Sequence, residues 1–458
     1  ADSFAQLNED PQPVGTLPSG VINAVPLSPA ELRRFEAGTP VSELNLGAAN
    51  FIPSSNDPDR RQSGRFFSGA VVFTQRPAEA FGYTISYQGL DTSRVSRNGS
   101  DRLDFDGRVH TLNARGDLRL GASNLVTAGY EFEHEGFVNR TSSNLFAPAT
   151  ETEATQRSHS VFVQDQLRFL DDRLQLSAAF RAQFFSLNRP RFTPGGTSPF
   201  GDVSFEAPPD AYTGDGSVAY LFRARGTKLR AHVGNGYRAP SLFERFGTFF
   251  FSGSFFAFGN PRLRPDRSVA FDAGVDQELF GNRLRASATY FYTRLQEVIA
   301  FEFTGYSNTG GGLARGAELS MSVAPTRALD LFASYTYTNS DQRTPQTGGH
   351  IRSFVIPDHQ LAVVATQRFG RRLLVNFDLV AASDYLNPIF DPTTFSSRVY
   401  RFDGFVKADL GASYTVPLGD AHSLRLFGKV ENLTGRDNYE AGFRTAGRTG
   451  VAGAAYSF

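Results

Sequence analysis

The sequence predicts an all-β protein, a transmembrane antiparallel β-barrel of the outer-membrane type with about seventeen strands, open or loosely closed. Three observations predict it. Apolar and polar residues alternate with period two over stretches of roughly 10 to 14 residues. The connections between those stretches alternate between short and long. The composition is aromatic-rich yet not hydrophobic overall, with 44 Phe, 16 Tyr and 44 Gly among 458 residues but only 40% apolar residues. A wall that is polar on one side and apolar on the other gives that average.

The alternation is clearest in the C-terminal half. In Arg283–Thr293, Leu284, Ala286, Ala288, Tyr290 and Tyr292 fall on one face. Arg283, Arg285, Ser287, Thr289 and Thr293 fall on the other, with Phe291 as the exception. Ser268–Leu279, Leu329–Thr338, Phe405–Val416 and Ser423–Glu431 repeat the pattern. A helix has no use for it, because alternate residues spread around the helix cylinder. A soluble sandwich can use it, but its strands are usually about 5 or 6 residues long. A bilayer crossing needs about 9 to 11.

Short connections are expected near Ala78–Phe81, Asp171–Arg173 and Phe280–Asn282, and long ones near Val95–Asp101, Arg189–Ala211, Ala239–Asp266 and Asn387–Arg401. Tyr290, Tyr292, Tyr335 and Tyr337 lie toward the long-loop ends of their strands; Tyr414, Tyr456 and Phe458 lie toward the opposite ends. Two aromatic girdles are expected at the two membrane interfaces. Residues 1–62 are Pro-rich and read as an extracellular loop region, and 63–458 as the barrel domain. Ser28-Pro29-Ala30-Glu31 carries an N-cap Ser, Pro at the first helical position and Glu at the third, which predicts a short helix over Ser28–Glu36. Val41–Ala49 is expected to hold a partial strand.

Several classes are excluded. There is no Cys, so disulfides, thiolate metal sites and Cys nucleophiles are ruled out. No run of about 18 apolar residues exists, so no transmembrane helix is expected. Lys plus Arg and Asp plus Glu are equal at 46 each, which leaves no global field to attract nucleic acid. No Ser sits in a recognisable nucleophile context, so no enzyme is expected. No metal site or cofactor is expected either: the seven His show no His-x-x-x-His pair. Asn56-Asp57-Pro58-Asp59 offers two carboxylates, short of a calcium set.

Four strings occur in series. They are Gly236-Tyr237-Arg238-Ala239-Pro240-Ser241-Leu242 followed by Gly259-Asn260-Pro261-Arg262-Leu263-Arg264-Pro265-Asp266; Tyr306-Ser307-Asn308; Ala314-Arg315-Gly316-Ala317-Glu318-Leu319; and Val430-Glu431-Asn432-Leu433-Thr434 with Arg448 and the terminal Phe458. Together they resemble TonB-dependent outer-membrane receptors of the cobalamin and siderophore branch, over roughly residues 50–458. The family positions are Arg238, Pro240, Asn260, Pro261, Pro265, Asn308, Arg315, Gly316, Glu318, Glu431, Asn432 and Arg448. The resemblance implies uptake of a scarce nutrient such as a ferric siderophore or cobalamin across the outer membrane of a Gram-negative bacterium. It implies contact with outer-membrane lipid, a small-molecule or metal-chelate substrate, and the TonB–ExbB–ExbD energy-coupling complex. It also implies that Tyr456 and Phe458 belong to a signal for the barrel-assembly machinery. A full family barrel has 22 strands around an N-terminal plug. Neither a plug nor an energy-coupling box is visible here, so about 17 of 22 strands are expected. An odd strand count also suggests a C-terminal portion of a longer polypeptide. The alternative is a plugless porin or structural barrel.

Binding chemistry concentrates on long connections. Phe246–Phe258 carries Phe246, Phe249, Phe250, Phe251, Phe255, Phe256 and Phe258 in thirteen residues, which suits a planar or macrocyclic ligand. The alternative is that these rings pack on one another. The mixed-sign charges of the polar face, such as Asp272, Asp276, Glu278, Lys407, Asp409, Lys429 and Glu431, read as a solvated wall of ion pairs.

Overall fold

The computed structural model describes residues 2–458 except 144–148, 194–197, 252, 253, 303, 304, 344–348, 395 and 420. Seventeen long strands follow one another along the chain: β1 (Arg61–Ala78), β2 (Phe81–Asn98), β3 (Asp101–Leu120), β4 (Asn124–Thr141), β5 (Thr150–Phe169), β6 (Leu174–Leu187), β7 (Ala211–Phe222), β8 (Thr227–Arg238), β9 (Asp266–Leu279), β10 (Leu284–Glu302), β11 (Leu313–Thr326), β12 (Leu329–Arg343), β13 (His359–Phe369), β14 (Leu373–Ala382), β15 (Phe405–Pro417), β16 (Ser423–Glu431) and β17 (Thr449–Ser457). Each pairs antiparallel with the next, as a meander must when every crossing reverses direction.

The register sorts the side chains as the alternation predicts. Ala288 opposes Val275 and Leu319, and Tyr290 opposes Ala273 and Ala317, all on one face. On the other face Ser287 opposes Asp276 and Ser320. The apolar face is solvent-accessible, with Val233 51%, Phe180 50% and Leu319 48% exposed. An apolar surface that wide is stable only against lipid. The polar face carries ion pairs: Arg230 Nε to Asp276 at 3.2 Å, Lys429 to Asp409 at 3.2 Å and to Glu431 at 2.8 Å.

The aromatic girdles are present, and histidines join them. Tyr87 Oη lies 2.8 Å from His110 Nδ1, Tyr130 Oη 2.6 Å from His159 Nδ1, and Tyr335 Oη 2.7 Å from His359 Nδ1, all toward the long-connection ends. At the opposite rim Tyr456 Oη lies 2.9 Å from His422 Nδ1. Rings with one apolar and one polar end suit an interface between hydrocarbon and water.

Among the described residues no register pairs β1 with β17. β17 pairs only with β16. β1 pairs with β2 on one side, and on the other only Arg61–Arg65 is covered, by Asp2–Gln6. Below that, Phe67 is 69%, Val71 69% and Val72 62% exposed, so both faces of β1 are bare. The sheet is open at this seam.

Residues 2–60 are more ordered than a plain loop. Helix α1 spans Pro29–Glu36, and its Ser28 Oγ accepts from the Glu31 N–H at 3.3 Å, as the capping pattern predicts. The partial strand expected over Val41–Ala49 is absent. Val41–Glu43 form a 3₁₀ turn after Pro40, and the strand starts later, at Asn50–Ile52. The alternation of Leu44 and Leu46 serves packing instead: they close a small core with Val14, Leu27 and Ile52. A second core joins Ile22 and Phe51 to Tyr385, Ile389, Tyr400 and Phe402. The last four belong to the hairpin Tyr385–Asp391/Ser396–Phe402 between β14 and β15. Residues 2–60 therefore hold β1 through Asp2–Gln6 and the late strands through this hairpin, bridging the seam at its long-connection end. One other expectation shifts. The long connection expected near Val95–Asp101 shrinks to the two-residue turn Gly99-Ser100, because β2 and β3 run on to 18 and 20 residues. Gly305–Gly310 forms a further short strand, pairing with the end of β10.

Two outcomes test these assignments. In lipid vesicles Ala286→Leu should leave unfolding unchanged, whereas Ala288→Arg on the apolar face should cost about 2–4 kcal/mol by denaturant titration. The second concerns Asp391 at the tip of the docking hairpin. Burial would raise its pKa, but hydrogen bonds from Thr394 Oγ1 and the Thr393 N–H, with Arg398 nearby, hold it below the ordinary carboxylate range. A depressed carboxylate contributes stability above its unfolded value near ~3.9 and loses it as pH falls through the folded value. Proteolytic resistance of residues 2–60 should therefore drop below about pH 4, and Asp391→Asn should flatten that dependence.

Candidate functional site

The long-connection end holds a cavity of about 800 Å³. The upper ends of β1–β4 form one side, and the connections after β8 and β10 form the other. Its lining includes five arginines, Arg60, Arg61, Arg94, Arg97 and Arg102, and one carboxylate, Asp101. The register puts Arg61, Arg97 and Arg102 side by side across β1, β2 and β3. Adjacent like charges repel, so the fold keeps them at a cost that an anion would relieve. Arg102 is partly neutralised by Asp104 at 2.8 Å and Arg60 by Asp10 at 3.6 Å.

Aromatic rings cross the cavity in a chain. Phe105 meets Phe243 edge-on at 5.4 Å, Phe243 meets Tyr306 at 6.0 Å, Tyr306 meets Phe301 at 5.0 Å, and Phe301 meets Phe258 at 5.7 Å. Arg94 lies 4.6 Å over the Phe105 ring. Guanidinium groups beside aromatic faces can hold a ligand that is both anionic and flat.

The connection between β8 and β9 supplies Phe243 and Phe258. Helix α2 (Leu242–Phe246) is started by a full capping box: Ser241 Oγ accepts from the Glu244 N–H at 3.2 Å, and the Ser241 N–H donates to Glu244 at 2.7 Å. Arg238 then donates to Glu244 at 2.9 Å and, through Nε, to Asp266 at 2.6 Å, tying the two ends of the connection together. Asn308 grips the returning segment by both its amide atoms: Oδ1 accepts from the Arg264 N–H at 2.7 Å, and Nδ2 donates to the Arg264 carbonyl at 2.8 Å. Asn260 Nδ2 donates to the Tyr306 carbonyl at 3.1 Å. Pro240 and Pro265 are buried, and the Pro261 carbonyl accepts from Arg245. Arg245 itself is 3% exposed and also donates to the Glu206 carbonyl, drawing a third connection into the assembly. Burial pushes its pKa down to about 10.

The remaining motif residues are also structural ties. Gly316 sits beneath the Phe291 ring, and a Cβ there would strike both that ring and the Tyr337 carbonyl. Phe291 thus breaks the alternation because it caps this glycine on the polar face. Arg315 donates weakly to Asn339 at 3.4 Å, and Glu318 opposes Thr289 and Thr336. Asn432, at φ +51°, donates its N–H to Asp409 at 2.9 Å, and its neighbour Glu431 pairs with Lys429. Arg448 donates to the Leu433 carbonyl at 2.7 Å. At the far rim Tyr456 stacks on Phe458 at 6.1 Å.

The phenylalanine-rich loop divides. Phe246 has no exposed surface and packs on Phe200 and Phe205. Phe258 lines the cavity. The backbone of Thr248–Phe251 pairs with Ser254–Ala257, while the side chains of Phe249, Phe250, Phe251, Phe255 and Phe256 lie outside the described residues. Sequence reading missed Arg94, Arg97, Phe105, Phe243 and Phe301, which come together with the motif residue Tyr306 only through the strand register and the clamped connections.

Known proteins agree with this architecture. A sequence model of the family described as TonB dependent receptor-like, beta-barrel, matches residues 31–433. No curated protein matches the sequence. Among solved structures, the chain resembles the ferric-catecholate import receptor Fiu from E. coli K12 at 13% identity and TM-score 0.68, covering 97% of this chain and 70% of that one. It resembles the ferric preacinetobactin receptor BauA from Acinetobacter baumannii at 13% identity and TM-score 0.65, covering 87% of this chain and 64% of that one. It resembles the copper transporter OprC at 15% identity and TM-score 0.66, covering 87% and 68%. The chain thus spans about two thirds of the length of these proteins. At such identities the likeness is one of fold.

Gly316 offers a direct test of the clamp. Gly316→Ala should lower stability by about 1–3 kcal/mol, since neither a carbonyl nor a packed ring can retreat far. An unchanged denaturation midpoint would show that the Phe291 contact is not tight.

Proposed function

Because the chain belongs to the TonB dependent receptor-like β-barrel family, we propose that it forms the wall and ligand-gathering mouth of an outer-membrane receptor in a Gram-negative bacterium. The substrate is an anionic, aromatic metal chelate of the siderophore type, and its passage draws on the TonB–ExbB–ExbD complex. Residues 1–62 lie outside the cell with the other long connections. The apolar face meets outer-membrane lipid, and Tyr456 with Phe458 presents the end read by the barrel-assembly machinery.

The cavity of five arginines and five chained aromatic rings carries this reading. A large, nearly neutral ligand such as cobalamin gains little from clustered guanidinium groups. A ferric catecholate gains charge-assisted hydrogen bonds of roughly 1.5–3 kcal/mol each. Structures of the same fold include receptors for ferric catecholate and ferric preacinetobactin and also a copper transporter, so the preference for an anionic chelate rests on the arginine cavity.

The test replaces Arg94 and Arg97 together by Gln in the full polypeptide. Binding of a trianionic ferric catecholate should weaken at least about tenfold, measured by fluorescence quenching, with the outer-membrane level unchanged. Binding of an uncharged ferric hydroxamate should change little. Equal loss for both ligands would remove the electrostatic argument. Open-channel conductance without saturable binding would favour a porin.

A further inference from the structure

The outward face of the sheet holds a cationic row that no carboxylate answers. His110 on β3 opposes His134 on β4, which opposes Arg157 on β5, which opposes Ser186 on β6. Counted in steps of two along each strand, these four share a side with Leu112, Phe132, Val161 and Phe184, so they face away from the lumen. Arg157 stands two residues beyond His159 of the outer girdle, or roughly 7 Å along the strand. It is exposed, and its side chain has neither an ion pair nor a hydrogen bond among the described residues. Neighbouring outward arginines are treated differently. Arg108 lies 3.1 Å from Asp91, Arg140 2.6 Å from Glu151 and Arg191 2.8 Å from Glu153, so these carboxylates already have partners.

Like charges set directly opposite one another on a sheet repel. At the level of an aromatic girdle an outward cation meets the headgroup layer, where the standing anions are phosphates. Arginine holds a phosphate through two parallel N–H donors. Ser186 beside Arg157, and Thr155 one step above it, bring hydroxyls to the same spot. Below the row the surface turns apolar, with Val161 49% and Val163 43% exposed. An anion that carries acyl chains is therefore met at both of its ends. We propose that Arg157, with His134 and His110, is the headgroup site for a phosphorylated lipid of the outer leaflet, its phosphate on this row and its chains along the strands below. A free phosphate ion would leave the apolar surface beneath unused. A twofold contact of two copies centred here would set the row against itself, cation on cation. The site rests on the outer-membrane reading of the barrel and is independent of the ligand cavity.

Native mass spectrometry of the full polypeptide, purified from membranes in a non-ionic detergent and mixed with phosphatidic acid, should show retained lipid. Diacylglycerol, which has the same chains and no phosphate, should not be retained, and excess inorganic phosphate should not displace the lipid. Arg157→Gln should cut retained phosphatidic acid at least about tenfold, and Arg157→Lys should keep part of it. Arg372→Gln, in the short turn before β14 at the opposite rim, should change nothing. Ferric catecholate binding should be the same in all of these variants. If Arg157→Gln lowers the amount of heat-modifiable barrel, the double change His110→Gln and His134→Gln is read in its place and should lower retention severalfold. Equal retention of diacylglycerol, displacement by phosphate alone, undiminished lipid in the variants, or a protein held at Arg157 in place of lipid would overturn the site. A chain found outside the membrane fraction would overturn the outer-membrane reading together with it.

Discussion

Every backbone N–H and C=O inside a bilayer needs a partner within the protein, and the rest of the structure follows from that requirement. It forces each strand to lie between two neighbours, and so forces the meander. The meander fixes the register, and the register sends apolar side chains one way and charged ones the other. Among the described residues the requirement goes unmet at the seam, where the lower part of β1 and the outer edge of β17 both lack a ladder. Exposed edges of this length are sites for further strand pairing. The seam is thus the part of the molecule whose surroundings must supply what the sheet does not.

The mouth solves a different problem. Long connections above a membrane have few apolar contacts to hold them, yet a binding surface needs fixed geometry. Here the order comes from bidentate ties laid over a small apolar cluster around Leu242 and Phe246. Arg238 links two carboxylates, Asn308 grips a peptide group by both atoms, and the buried Arg245 joins two connections through carbonyls. The recognisable motif residues therefore mostly frame the cavity, while residues outside the motifs, joined by Tyr306, line it.

This division explains what could be read from the sequence. Period two is local, so the seventeen strands and their two faces were legible, as was the Ser28 cap of α1. The cavity was not, because Arg94 and Phe243 are 149 positions apart and only the three-dimensional register makes them neighbours. Strand ends were blurred for a physical reason. Above the lipid the alternation of hydrophobicity fades while the ladder continues, so β2 and β3 look shorter in sequence than they are. Leu44 and Leu46 misled in the opposite sense, because a two-residue rhythm also suits an irregular segment that packs one side against a core.

The bridge across the seam also constrains time. Tyr400 Oη donates to the carbonyl of Asn50, a contact spanning 350 positions, and Phe51 packs edge-on against Tyr439. Closing a loop that long is entropically expensive unless the intervening chain is already ordered. The segment at the start of the chain therefore waits for nearly all of the sheet before it can dock. Its docking reports completion: a chain stalled with late strands unformed would leave Ile22 and Phe51 uncovered.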